Sequence, residues 1–416
     1  PASILRESPL DVGIVILVDM AHLQSTPKIL IAGGGIAGLA TALALHRLGL
    51  KSITVLEQAS SLRVTGASLT ISDNGWRALD VLGVADTLRS QHIKLQRVET
   101  LLASRGLTKP LSLDGHEMRC VKRKDLLQTL AQELPPHTIQ FGSKISAIHR
   151  TQGNSSIVEL EDGKHISPKV VIGCDGVNSA VAKWLGFGAP NLAGRTGFLG
   201  LATFPEGHQF EHKAFQIWGN GIRAGFAPCN ENDAFWFVYR KSNPRLDAEI
   251  AYKEEILREE ALHLAENLRN KELVEVIERS VPGSLSLAVL KYRYLCPFMA
   301  GNAKKGNVTV VGDALHPMTP ELGQGGCLAL EDSVTLGRCL GQVDLEKPGD
   351  VEAALNKYVQ ERKVRAFEMG VGSSVSGFLQ SGSWWLPRFI RDKVLFDRIS
   401  PKMFRHIEFD CGNLSS

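Results

Sequence analysis

Val308–Asp332, VTVVGDALHPMTPELGQGGCLALED, is the stretch whose reading decides the fold. A strand-like run (Val308, Val310, Val311) ends at Gly312-Asp313. Pro317 and Pro320 then keep the chain out of helix, because proline lacks an amide hydrogen and its ring clashes with the preceding turn. Gly323, Gly325 and Gly326 follow, and an apolar helical pattern starts near Cys327. An Asp at a strand end is placed to accept hydrogen bonds from a sugar-like chain. Glycines that open a helix present bare N–H groups at the positive end of the helix dipole. One piece of chain can thus hold the middle and the reactive end of a large, electron-rich ligand.

That reading fixes the meaning of an earlier stretch, Lys28–Glu57. Lys28–Ala32 is a short buried strand. Gly33-Gly34-Gly35-Ile36-Ala37-Gly38 matches G-x-G-x-x-G, with glycines at 33, 35 and 38. Ile36–Leu48 has helical spacing, with Gly49 as its stop. Ser52–Leu56 is a second strand, and Glu57 stands at its end. The glycines permit a tight turn and close backbone approach to a pyrophosphate, and the acid lies where a ribose hydroxyl needs an acceptor. Glu57 favours a free 2′-hydroxyl, as in FAD or NAD, over a 2′-phosphate.

The chain has 416 residues, enough for two or three domains. Its formal net charge of +3 does not argue for nucleic acid. The 7 cysteines are scattered, odd in number and never spaced C-x-x-C, which fits a reduced compartment and not a disulfide frame or structural zinc. The 12 histidines show no H-E-x-x-H, and no metal site is expected. Val12–Val18 is apolar but too short to span a bilayer, and no stretch elsewhere reads as transmembrane. Residues 1–27 stand apart from the domain. A transit remnant, a gene-model artefact and an extra strand remain open readings, and the first would make a cytoplasmic protein plastidial.

Helix and strand patterns alternate from residue 28 to 193. KVVIG at Lys169–Gly173 is a buried strand that stops at Cys174-Asp175-Gly176, and Ser179–Leu185 opens a helix. From about Gly194 the texture changes. Phe198–Phe204, Lys213–Trp218, Gly221–Ala227 and Phe235–Tyr239 are aromatic and strand-like, separated by Gly, Asn or Pro. The expectation is an α/β protein. A discontinuous Rossmann-type domain covers 28–193 and 295–345, a mostly antiparallel sheet domain is inserted at 194–294, and a helical region follows at 346–416.

Three motifs now stand in order: GGGIAG with Glu57, CDGVNSAV at Cys174–Val181, and GDALHPMTPELGQGG at Gly312–Gly326. Together they resemble the single-component FAD-dependent hydroxylases, the group of p-hydroxybenzoate and salicylate hydroxylases, with plant FAD-dependent monooxygenases nearest. The likeness covers roughly residues 28–375 and includes Gly66-Ala67-Ser68-Leu69, VKRKDLL at Val121–Leu127, GNGIRAGFAP at Gly219–Pro228 and ALED at Ala329–Asp332.

The resemblance implies FAD as cofactor, NAD(P)H as a transient co-substrate, and O2. One oxygen atom would pass to a small aromatic or unsaturated molecule through a flavin C4a-hydroperoxide. It places Gly33, Gly35, Ala37, Gly38 and Glu57 on the ADP half, with Ala67 and Arg123 beside the cofactor. Asp175-Gly176 would serve FAD and the nicotinamide nucleotide. Asp313 would meet the ribityl or pyrophosphate region, and Gly323, Gly325 and Gly326 the flavin ring. His316, Pro317 and Arg223 are the candidate catalytic residues. Phe215, Trp218, Phe226 and Phe237 are the candidate substrate wall, although alternation allows only about half of such residues to face one side. Related sequences often carry an Arg before the glycine of the first sheet strand. Here that place reads Phe198-Leu199-Gly200, so a carboxylate substrate would depend on Arg223 or give way to a neutral one. An epoxidase of an isoprenoid alkene, or an FAD-binding interaction protein without turnover, are the other readings. A monomer or homodimer with no stable membrane insertion is expected.

Overall fold

A computed structural model describes residues 27–62, 68–151, 155–219, 221–294, 303–381, 385–396 and 401–414. The expectations for residues 1–26 and Ala67 fall outside these. No helix among the described residues is long and apolar enough to cross a membrane.

The strands Ile29–Ala32, Ile53–Leu56 and Val170–Gly173 are buried at every position. Such uninterrupted apolar runs mark parallel strands covered on both faces. They form the centre of a six-stranded sheet, whose order is Lys304–Lys305, Val308–Val310, Val170–Gly173, Ile29–Ala32, Ile53–Leu56, Ile139–Gln140. All pairs are parallel except the first. Ile29 stands between Val170 and Ile53, so the ends of the three central strands reach one edge together. Helix Ile36–Arg47 is buried at ten positions and helix Gly325–Leu340 at thirteen. Small residues bring the two close. A Cβ on Gly337 would lie 2.9 Å from that of Ala44, and Thr41 Oγ1 donates to Ser333 Oγ at 3.1 Å.

A seven-stranded sheet stands beside this unit. Its order is Ser286–Tyr292, Asn191–Thr203, Asp233–Lys241, Arg223–Pro228, Lys213–Trp218, Arg97–Leu102, Leu107–Ser112. This widens the expected insertion at 194–294. Two of its strands come from inside 28–193, because Arg97–Leu102 runs parallel to Lys213–Trp218 and completes its hydrogen bonds. Leu107–Ser112 contains Pro110 and closes the edge, where a missing amide hydrogen costs no ladder bond. Helices Glu254–Glu266 and Lys271–Glu278 cover one face with Leu257, Ala261, Leu273 and Ile277. The other face looks toward the first unit. Helix Pro348–Ser381 opens the helical region expected at 346–416, and its Tyr358 hydroxyl donates to the Val310 carbonyl at 3.1 Å.

Candidate active site

A cavity of about 930 Å³ lies between the two sheets. At one end it is bordered by Gly33, Gly35, Ala37, Glu57, Asp175 and Gly176, and farther along by Arg123, Asp313, Gly323, Gly325 and Gly326. Residues nearly three hundred apart in sequence thus share one wall.

The glycines of the first turn do different work. Gly33 has φ +102°, and a Cβ there would meet the Cys174 carbonyl oxygen at 2.4 Å. A Cβ on Gly38 would lie 1.9 Å from the Gly33 carbonyl oxygen. Gly35 has nothing within 4 Å of its Cβ position, so the backbone is open to a ligand. Glu57 is buried, and its Oε2 accepts from Gly34 N at 2.9 Å while Oε1 accepts from Ala59 N at 2.8 Å. It therefore closes the turn itself. Asp175 Oδ2 accepts from Ala180 N at 2.7 Å and Val181 N at 3.3 Å, so the carboxylate caps the short helix Ala180–Trp184. Burial pushes its pKa upward against those bonds.

Arg123 opens helix Arg123–Gln132 and acts electrostatically on Asp313. Asp313 faces the cavity from a short 3-10 turn, Gly312–Ala314, with its side chain open to that space, and the desolvation there raises its carboxyl pKa despite the pull of His316 and Arg123. Helix Gly325–Leu340 begins at this wall with no side-chain cap, leaving its first N–H groups for a ligand. Gln324, 1% exposed, donates nothing from Nε2, while its Oε1 accepts from Asn74 at 2.8 Å.

His316 and Pro317, expected at the reacting centre, do not border the cavity. His316 is 1% exposed, and its Nε2 meets Asp332 Oδ2 at 2.6 Å. Asp332 also accepts from Gly312 N at 3.0 Å and Arg362 Nε at 2.6 Å. Beside it Glu331 accepts from Asn74 (2.6 Å), Arg362 (2.6 Å) and Arg365 (3.0 Å). Burial disfavours charge on His316, yet the Asp332 carboxylate outweighs it and the pKa is raised. Asp332, charged against His316 and Arg362, is held well below the usual carboxylate range despite burial. His316 is therefore a positioning residue behind the Gly312-Asp313 turn. Pro317 supplies its carbonyl to Arg293 N at 2.9 Å, while Pro320 is the proline that borders the cavity.

Strand alternation sorts the expected substrate wall. Trp218 and Phe237 sit on the sheet face turned to the cavity, with Leu199, Ala227 and Phe235. Phe215 and Phe226 also touch the cavity boundary, but their rings, 5.6 Å apart, belong to the helix-covered core with Trp236 and Val238. Arg223 lines the cavity, 5.2 Å from the centre of the Phe237 ring. Sequence reading missed Gln216, Thr100, Glu321, Ser376 and Gln380, all on the same wall. Gln216 was findable, since it stands two residues before Trp218 on one strand and so shares its face.

An extended dinucleotide fits this site: a turn with open space at Gly35, an uncapped helix start, and Gln324 with an unused donor. Fold and site together define a flavoprotein monooxygenase. Residues 26–370 match the family model described as FAD binding domain, and the chain belongs to that family. It is 41% identical over 413 residues to Monooxygenase 2 of Arabidopsis thaliana, covering 94% of this chain and 99% of that protein. It is 37% identical over 398 residues to Monooxygenase 1 of the same plant, covering 93% and 99%. In fold it is similar to Klebsiella pneumoniae HpxO complexed with FAD and uric acid, with a TM-score of 0.78 at 22% identity over 95% of this chain and 99% of that one. The chain is an oxidoreductase that incorporates one oxygen atom, with FAD as its cofactor.

Proposed function

We propose that this chain oxidises NADH or NADPH and inserts one atom of O2 into a small planar aromatic or otherwise unsaturated molecule seated against the seven-stranded sheet. The observation that carries this reading is the single cavity joining the glycine turn to the aromatic sheet face. Bound FAD supplies the redox chemistry, accepting electrons from the nicotinamide and activating oxygen. The protein's share is binding, orientation and exclusion of water. Gly33–Gly38 would hold the ADP half, with the free lone pairs of Glu57 available to a ribose hydroxyl, and Arg123 would stand beside the cofactor near Asp313. Asp313 would accept from the ribityl chain. The N–H groups opening helix Gly325–Leu340 would lie against the flavin ring edge that becomes negative on reduction. Leu199, Trp218, Phe235 and Phe237 would keep water from the reacting face.

NAD(P)H oxidation by the FAD-loaded protein, with and without candidate aromatics, tests this when products are weighed. Stimulated oxidation with a product one oxygen heavier is expected. An epoxide as the sole product would move the substrate to alkenes. A flavin that neither nicotinamide reduces under any condition would sink the proposal.

A further inference from the structure

Five of the twelve large apolar side chains that stand exposed among the described residues fall within one short stretch: Val364, Val375, Phe378, Leu386 and Phe389, between 37% and 55% exposed. Isolated exposures are ordinary, whereas clustered ones mark a contact surface. Val364, half-buried Val371, Val375 and Phe378 follow one another at seven, four and three residues, so they make one stripe along helix Pro348–Ser381. The opposite side of that helix faces inward. Ser373 Oγ meets Thr319 Oγ1 at 3.2 Å, and Ser376 and Gln380 border the cavity. Leu386 and Phe389, three apart, share a face of helix Trp385–Ile390, which packs against the first helix.

The charge of the neighbourhood says what such a surface meets. No Asp or Glu occurs from Met369 to Arg391. From Trp385 to His406 the sequence holds 6 Arg or Lys against 2 Asp, a net +4. The whole chain is +3, so all the other residues together carry −1. Arg391 is buried against Asp392, while Lys393 and Arg405 are exposed. A second copy of the chain is a poor occupant, because a two-fold contact would set this positive stretch against itself. Apolar and aromatic side chains beside basic ones are instead what an interfacial helix offers to acidic lipid headgroups. No helix among the described residues can cross a membrane, so the contact is with the surface of a bilayer.

We infer that the outer face of helices Pro348–Ser381 and Trp385–Ile390 docks reversibly on an anionic lipid surface. Phe378, Leu386 and Phe389 enter the boundary between headgroups and acyl chains, and the basic stretch 385–406 supplies the attraction to acidic headgroups. One helix diameter, about 10–12 Å, then separates the bilayer surface from the cavity wall at Ser376 and Gln380, within reach of a molecule dissolved in the lipid. The docking does not depend on the oxygenase reading, which stands or falls on NAD(P)H oxidation in solution.

The test is flotation of the FAD-loaded full chain with vesicles of phosphatidylcholine alone and of equal parts phosphatidylcholine and phosphatidylserine. Binding to the mixed vesicles only, weakened by salt, is expected. F378S/F389S should weaken it about tenfold or more by removing apolar area, and K393E/R405E by a like factor through charge. Y252S removes an aromatic ring that is 97% exposed outside these helices, and it should change nothing. Unchanged FAD content and melting temperature show that the variants fold. No binding to the mixed vesicles, equal binding to phosphatidylcholine alone, or either double variant binding like the wild type would overturn the inference. So would a loss in Y252S as large as in F378S/F389S. A dimer in sedimentation that F378S/F389S dissociates would also overturn it, since the face would then belong to a second copy.

Discussion

Gly38 tolerates no side chain, since a Cβ there would lie 1.9 Å from the Gly33 carbonyl oxygen. Gly38→Ala must therefore push the first turn out of its shape, the one proposed to receive a pyrophosphate. We expect it to purify with little flavin and to bind added FAD at least about tenfold more weakly, with unchanged circular dichroism. Asp332 makes the opposite kind of prediction, for stability. It accepts from His316, Gly312 N and Arg362 in a fully buried setting. Asp332→Asn leaves charge uncompensated and should cost about 3 kcal/mol or more in denaturant unfolding. The His316 pKa is raised above 6.5, so the folded state holds a proton that the unfolded state releases first. Its stabilisation is complete below pH 6.5 and is lost as pH rises through the higher folded value. Unfolding free energy should fall across that window, and the fall should shrink in His316→Gln. The glycines were readable in the sequence because a positive φ or a close approach leaves no other residue type. The role of His316 was not, because its partner Asp332 lies about two helical turns inside helix Gly325–Leu340 and spacing alone does not show which way an imidazole turns.

In the proposed reading helix Gly325–Leu340 would carry the flavin end of the site, and its start is unfavourable for a helix on its own. Two glycines open it and no side chain caps it. A Cβ on Gly325 would meet only Asp313 Oδ1 and Met318 Cγ, both at 4.0 Å, so the protein without FAD has room for it. Gly325→Ala should stabilise the FAD-free protein by up to about 1 kcal/mol through helix propensity while weakening FAD binding. Thermal melts with and without FAD read both signs; a variant that gains or loses on both counts would contradict this placement of the cofactor. Most elements of the parallel sheet were legible, because doubly buried strands such as ILIA and VVIG read as continuous apolar runs. Arg97–Leu102 and Leu107–Ser112 were not. Their residues are half-polar, Pro110 argues against a strand, and only the edge position makes them one.

At the scale of the whole molecule, two sheets face each other across a cavity that neither completes alone. The N-terminal glycine turn, the Asp313 turn and the 97–112 strands meet the inserted sheet only through the fold, which is why composition and motif order identified the oxidant but left the substrate wall half-read. A ligand that binds only the folded state stabilises it by mass action, by about 2.7 kcal/mol at a hundred times its dissociation constant. FAD should therefore raise the melting temperature of the described unit in one cooperative transition. The account's central claim is that one ligand spans both ends, from Gly33–Gly38 to Gly323–Gly326. Calorimetric titration of the FAD-free protein with FAD, FMN and ADP tests it most directly. We predict a single FAD per chain, with FMN and ADP each binding far more weakly and each competing with FAD. FMN binding as tightly as FAD, or FAD binding indifferent to saturating ADP, would contradict it.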